Sequence, residues 1–82
     1  MNKTTTRDVA QHWRCNEAAC NSGANLWTDG NKLYSYRLCI GDTTESGQKV
    51  LKDYSATGRH GFRSMTTSKH VGYARAYAHL VD

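Results

Sequence analysis

Apolar and polar positions change period several times along this chain, and each change marks an expected element. Near the start, Thr5 and Asp8 stand at capping-box spacing, with Asp in place of the usual Glu. Asp8 also suits the positive end of a helix dipole. Val9, Trp13 and Cys20 fall near one helical stripe, while Arg7, Gln11 and Arg14 fall on the other side. The pattern predicts a helix over Thr6 to Ala19, stopped by the breaker cluster Asn21-Ser22-Gly23.

A short strand is expected over Asn25 to Thr28. Asp29-Gly30 then suits a two-residue type I′ turn, in which both central residues take positive φ. From Asn31 to Ile40, Tyr34, Tyr36, Leu38 and Ile40 alternate with Ser35, Arg37 and Cys39. That period of two predicts one strand with one buried face. A polar loop over 41–47 leads to a further strand over Gln48 to Ala56, with Val50, Tyr54 and Ala56 on one face and Leu51 on the other. Residues 57–61 form a glycine-flanked basic loop, and Phe62 to Met65 is a candidate edge strand. Thr66, Thr67 and Ser68 offer three N-caps for a last helix. Val71, Ala74, Ala78 and Val81 share one face of it, beside Tyr73, Tyr77 and Leu80. The expected fold is α+β: a small antiparallel sheet of three to four strands, with an N-terminal and a C-terminal helix packed on it, in a single compact domain over 1–82.

Size limits how such a domain is held together. A chain of 82 residues buries about 60–65% of the surface its unfolded form exposes, so its stability margin is thin. Small chains commonly add disulfides, a metal or a second copy. Residues 1–13 contain no apolar run that would serve as a secretory signal, and no window approaches the ~18 apolar residues of a membrane helix. The expected compartment is the cytoplasm, where thiols stay reduced. Cys15, Cys20 and Cys39 are then free thiols that behave as small hydrophobes. On a helix, Cys15 and Cys20 would point about 140° apart, which argues against bonding between them. Five tyrosines, two tryptophans and one phenylalanine are more aromatic surface than so small a core absorbs. A homodimer or a partner surface is a fair expectation.

The formal charge of +4 is uneven. Residues 1–56 carry seven Lys/Arg against six Asp/Glu, whereas residues 57–82 carry Arg59, Arg63, Lys69 and Arg75 against Asp82 alone. His60, His70 and His79 lie in the same third. Cations interleaved with Phe62 and Tyr73 could contact phosphates and stack on unpaired bases, or steer association with an acidic protein face. A mixed solvated surface explains the same residues.

Motifs for chemistry are weak. Cys15-x4-Cys20 is loose for a zinc knuckle, and no closely spaced histidine pair follows, so neither metal nor cofactor is expected. No Cys–His or Ser–His spacing demands a catalytic pair, and Asp82 is the one carboxylate in the C-terminal third. Gly58-x-x-Gly61 is too short to cradle phosphate. The start of the last helix, with Lys69 nearby, could attract an anion, although plain N-capping is the simpler reading.

Four stretches carry a family resemblance. Thr4-Thr5-Thr6-Arg7-Asp8-Val9-Ala10, Leu26-x-Thr28-Asp29-Gly30-x-x-Leu33-Tyr34-Ser35-Tyr36, Ile40-Gly41 and Thr66-Thr67-Ser68-Lys69-His70-Val71-Gly72-x-Ala74 resemble small proteins encoded by bacteriophages and prophages. The similarity covers most of the chain, coincides with turns and caps, and supplies no catalytic residue. The resemblance implies an accessory protein, and some phage proteins of this size block host defences such as CRISPR–Cas by occupying a functional surface of the effector. Inhibitors that mimic DNA are strongly acidic; this chain is basic and would act by another route. The expectation is a non-enzymatic inhibitor that binds a host protein or ribonucleoprotein effector through Arg59, His60, Arg63, Lys69, His70, Tyr73 and Arg75. The alternative is a basic nucleic-acid-binding accessory protein of phage transcription or replication.

Overall fold

Thr5 starts the first helix as expected. In the computed structural model, which describes residues 2–82, its hydroxyl accepts from Asp8 N at 3.2 Å. A strand β1 (Asn2–Thr4) precedes it, and helix α1 spans Thr6–Arg14. The helix buries Val9, Ala10 and Trp13. It ends five residues before the expected Ala19 because Asn16 takes the left-handed conformation, φ 61°. Asn16 N bonds Trp13 O at 3.1 Å and Glu17 N bonds His12 O at 2.8 Å. That is a Schellman stop, in which asparagine fills the position glycine usually takes. Cys20 therefore lies on a strand, β2 (Ala18–Asn21), which runs parallel to β1.

The middle of the chain is an antiparallel meander: β3 (Leu26–Asp29), β4 (Leu33–Ser35), β5 (Leu38–Thr43) and β6 (Lys49–Leu51). The β3–β4 connection differs from the expected two-residue turn. Thr28 pairs with Leu33, so four residues lie between them, and only Gly30 (φ 98°) is left-handed there. A Cβ on Gly30 would stand 2.9 Å from Asn16 O. Asp29 Oδ1 instead accepts from the backbone N–H groups of Lys32 (2.8 Å) and Asn31 (2.9 Å), which hold its carboxyl below the usual carboxylate range.

The expected 31–40 strand is also two strands. The chain reverses at Tyr36-Arg37, with Tyr36 at φ 57°, and Ser35 pairs with Leu38. The reversal changes which residues share a face. Leu33, Ser35 and Ile40 are buried, whereas Tyr34 and Cys39 pair on the opposite side.

After β6, residues 52–64 form no strand, so the expected strand ends at Leu51 and Phe62–Met65 is loop and helix start. Helix α2 (Met65–Arg75) is capped by Ser64, whose Oγ accepts from Thr67 N at 3.1 Å, rather than by Thr66, Thr67 or Ser68. It stops at Arg75, and the chain closes with β7 (Leu80–Val81) parallel to β6.

Among the described residues the strands form one mixed sheet in the order β1-β2-β3-β4-β5-β6-β7. This corrects the expected antiparallel sheet of three to four strands. The two helices stand, but the sheet has seven strands with a parallel pair at each edge. The reason is length. Several strands have two to four residues, too few to display a period of two against their surroundings.

Both helices contribute to one apolar cluster on one face of the sheet: Val9, Ala10 and Trp13 from α1, Val71 and Ala74 from α2, and Leu26, Leu33, Ile40, Leu51 and Tyr54. Gly41 makes room for the indole, since a Cβ there would lie 2.7 Å from Trp13 Cζ2. The molecule measures 31 × 31 × 19 Å, the thickness of one helix layer on one sheet. No described helix is long and apolar enough to cross a membrane.

Candidate partner-binding surface

Thirteen residues, 52–64, connect β6 to α2 without a strand or helix. A connection that long in a small domain needs its own fastenings. Asp53 provides the first. Its Oδ1 accepts from Ser55 Oγ (2.6 Å) and Ser55 N (3.1 Å), and its Oδ2 accepts from Arg75 Nη2 (2.9 Å). These donors, the Ser55 hydroxyl foremost, hold the Asp53 carboxyl below the usual carboxylate range against the opposing effect of burial. Asp53 O also accepts from His60 N at 3.1 Å. The loop passes so close here that a Cβ on Gly58 would lie 2.3 Å from Asp53 O.

Asp82 is the second fastening. Its carboxylate takes Arg59 Nη1 and His60 Nε2, each at 3.1 Å, and its carbonyl accepts from Asp53 N at 3.0 Å. The His60 ring stands 5.1 Å from the Tyr54 ring, and the Arg63 guanidinium lies 5.4 Å above that same tyrosine.

This frame displays side chains outward. Phe62 is 50% exposed and Met65 is 69% exposed. Arg59, Arg63 and Lys69 are exposed beside them in sequence. Met65 and Lys69 are four apart, hence one above the other on the outer side of α2. Gly72 continues that side with no atom within 4 Å of where its Cβ would be.

The residues expected from sequence separate into three groups. Arg63 and Lys69 lie on the surface and make no ion pair among the described residues, and Arg59 is equally exposed but meets Asp82. His60 and Arg75 are fastened to Asp82 and Asp53. His70 and Tyr73 belong to the helix packing. Tyr73 lies under the Arg7 guanidinium of α1, 5.6 Å from ring to cation. His70 is buried against the sheet, its Nδ1 2.7 Å from Ser35 Oγ, which is also 2.9 Å from Thr67 Oγ1. Burial pushes the His70 imidazole below its ordinary pKa. Ser35 is itself fully buried, so this Ser–His contact is a tie between β4 and α2.

Sequence reasoning passed over Met65, Asp53 and Asp82. From the sequence Met65 reads as the end of a strand, and the two carboxylates act through a fold that spacing alone does not show. The described residues contain no cluster of three metal-ligating side chains, and no ligand-sized cavity opens among them.

No family model matches the chain, and neither the curated proteins nor the solved structures contain a significant match to it.

Proposed function

We propose that this protein is a non-enzymatic inhibitor made by a bacterial virus, acting in the host cytoplasm by docking on a host-defence effector such as a CRISPR–Cas complex. The observation that carries the binding reading is the exposure of Phe62 and Met65, flanked in sequence by exposed Arg59, Arg63 and Lys69, across the fastened loop and the first turns of α2. Aromatic, Met and Arg side chains are the types enriched at the centres of protein interfaces. Holding the loop through Asp53 and Asp82 before binding reduces the ordering cost on association. The fitting partner surface has an apolar depression rimmed by carboxylates. The defence target rests on the resemblance of the capping and turn motifs to small phage proteins.

The nucleic-acid alternative relies on the same cations. It has less to stand on, because Arg59, His60 and Arg75 already meet Asp82 and Asp53 within the chain. A pull-down from the bacterial host with tagged protein, with and without nuclease treatment, separates the two readings. An effector subunit retained after nuclease treatment, and lost with Phe62→Ala, supports docking. Partners that vanish with nuclease, together with a steep loss of binding as salt rises, would favour the nucleic-acid reading.

A further inference from the structure

We propose that the sheet face opposite the helices is the interface of a homodimer, covered by a second copy of this chain. Both helices lie on one side, so the other side of the seven strands has no covering layer among the described residues. Cross-strand pairing aligns Lys3, Cys20, Trp27, Tyr34 and Cys39 in one row across that side, with Val50 farther along. Trp27 and Tyr34 stack on each other at 4.2 Å and 12°. Each ring has one face against the other, so a nucleobase cannot insert between them without breaking the stack.

Three features favour a second copy. First, two polar hydrogens beside the aromatic pair are already bonded inside the chain: Trp27 Nε1 donates to Tyr36 O at 3.0 Å, and Cys39 Sγ donates to Gly41 O at 3.2 Å. Drying the face leaves the indole N–H satisfied. Second, charge permits self-association. The strands place Lys3 on this side with Asp29 and Asp42, whereas Arg63 and Lys69 belong to the loop and helix layer. Two copies can meet here without opposing their basic surfaces. Third, seven strands at about 4.8 Å spacing make this face roughly 30 Å wide, so with its flanking loops it approaches the roughly 800 Å² per partner of a standard interface. Cys15, Cys20 and Cys39 are free thiols, and a second copy is one of the ways small domains commonly gain stability. The dimer would leave both 59–69 surfaces facing outward, making the proposed binder bivalent.

Sedimentation velocity tests the assembly, and the thiols report which face is covered. The run spans about 1 to 100 µM, bracketing the weak end of affinities for interfaces of this size. Cys20 and Cys39 lie on the proposed interface, whereas the exposed Cys15 caps α1 on the other layer. Alkylation of Cys20 and Cys39 should slow about tenfold as the wild-type protein passes from monomer to dimer, while Cys15 reacts at a constant rate. Tyr34→Arg should shift the protein to monomer and restore the fast alkylation. A monomer throughout the range would overturn the proposal. So would a dimer in which Cys20 and Cys39 react as fast as in the monomer, which would place the interface on another face.

Discussion

Replacing Lys49 with Met should destabilise this protein more than any change of a surface lysine. Lys49 is fully buried, and its ammonium donates to Asn16 Oδ1 (2.7 Å), Thr43 Oγ1 (2.7 Å) and Gly30 O (3.0 Å). It also lies 5.7 Å from the Trp13 ring. The three acceptors belong to the end of α1, the β3–β4 loop and β5, so one side chain ties three segments to β6. Methionine has similar length and no donor. Gly30 O, the acceptor in the buried bond, would lose that partner, at about 1–3 kcal/mol. The other two bonds are partly buried, so water can replace some of what is lost. Burial of the ammonium opposes these terms and pushes its pKa below the ordinary lysine value, so removing the charge returns part of the loss. The net expectation is a loss of about 2–4 kcal/mol. A domain of this length is worth roughly 4–12 kcal/mol in all, and the melting temperature should fall by about 10–20 °C. Urea unfolding followed by tryptophan fluorescence measures the change, with Lys69→Met as the exposed control. A Lys49→Met loss below about 0.5 kcal/mol, the range of ordinary surface changes, would refute the claim that this ammonium ties the segments together.

Further tests follow from the same contacts. Because burial lowers the folded-state pKa of His70 below 6.5, the unfolded chain binds the extra proton first, and stability should fall as pH drops below 6.5 and through the folded-state value. His70→Gln should flatten that part of a melting-temperature profile; an unchanged slope would show that another group titrates. Asp29 and Asp53, both held below 3.8, should add a second loss below that pH, which Asp53→Asn would diminish. Gly58→Ala should destabilise the 52–64 loop, since its Cβ would strike Asp53 O, whereas Gly72→Ala has open space and should gain about 0.5–1 kcal/mol. Thermal melts compare the two, and equal shifts would contradict the close approach at Gly58.

The parts of the fold that were legible in the sequence are those with a local cause. Thr5 and Asp8 announced the start of α1 because a cap is a four-residue device. The end of α1 was hidden because its stop is Asn16, which looks like any polar helix residue until it adopts φ 61°. Tyr36 misled for a similar reason. An aromatic in the left-handed region is rare, so alternation appeared to run through a position where the chain reverses. Strands β1 and β7 gain their identity from partners distant in sequence, Ala18–Asn21 and Lys49–Leu51 respectively. The basic segment was visible as composition, but its division into surface, fastened and buried residues depends on Asp53, Asp82 and Ser35. None of these is next to the cation or imidazole it binds.

The measurement that bears most directly on the proposed role is a plating assay in bacteria whose CRISPR–Cas system targets a test phage. Expression of the wild-type protein should restore plating, and the combined variant Phe62→Ala, Arg63→Ala, Lys69→Ala should lose that effect while remaining folded, its melting temperature lowered by no more than the loss of the Arg63–Tyr54 contact. Full activity of the folded triple variant would contradict the assignment of the 59–69 surface, and failure of the wild-type protein against every effector type tested would contradict the inhibitor reading itself.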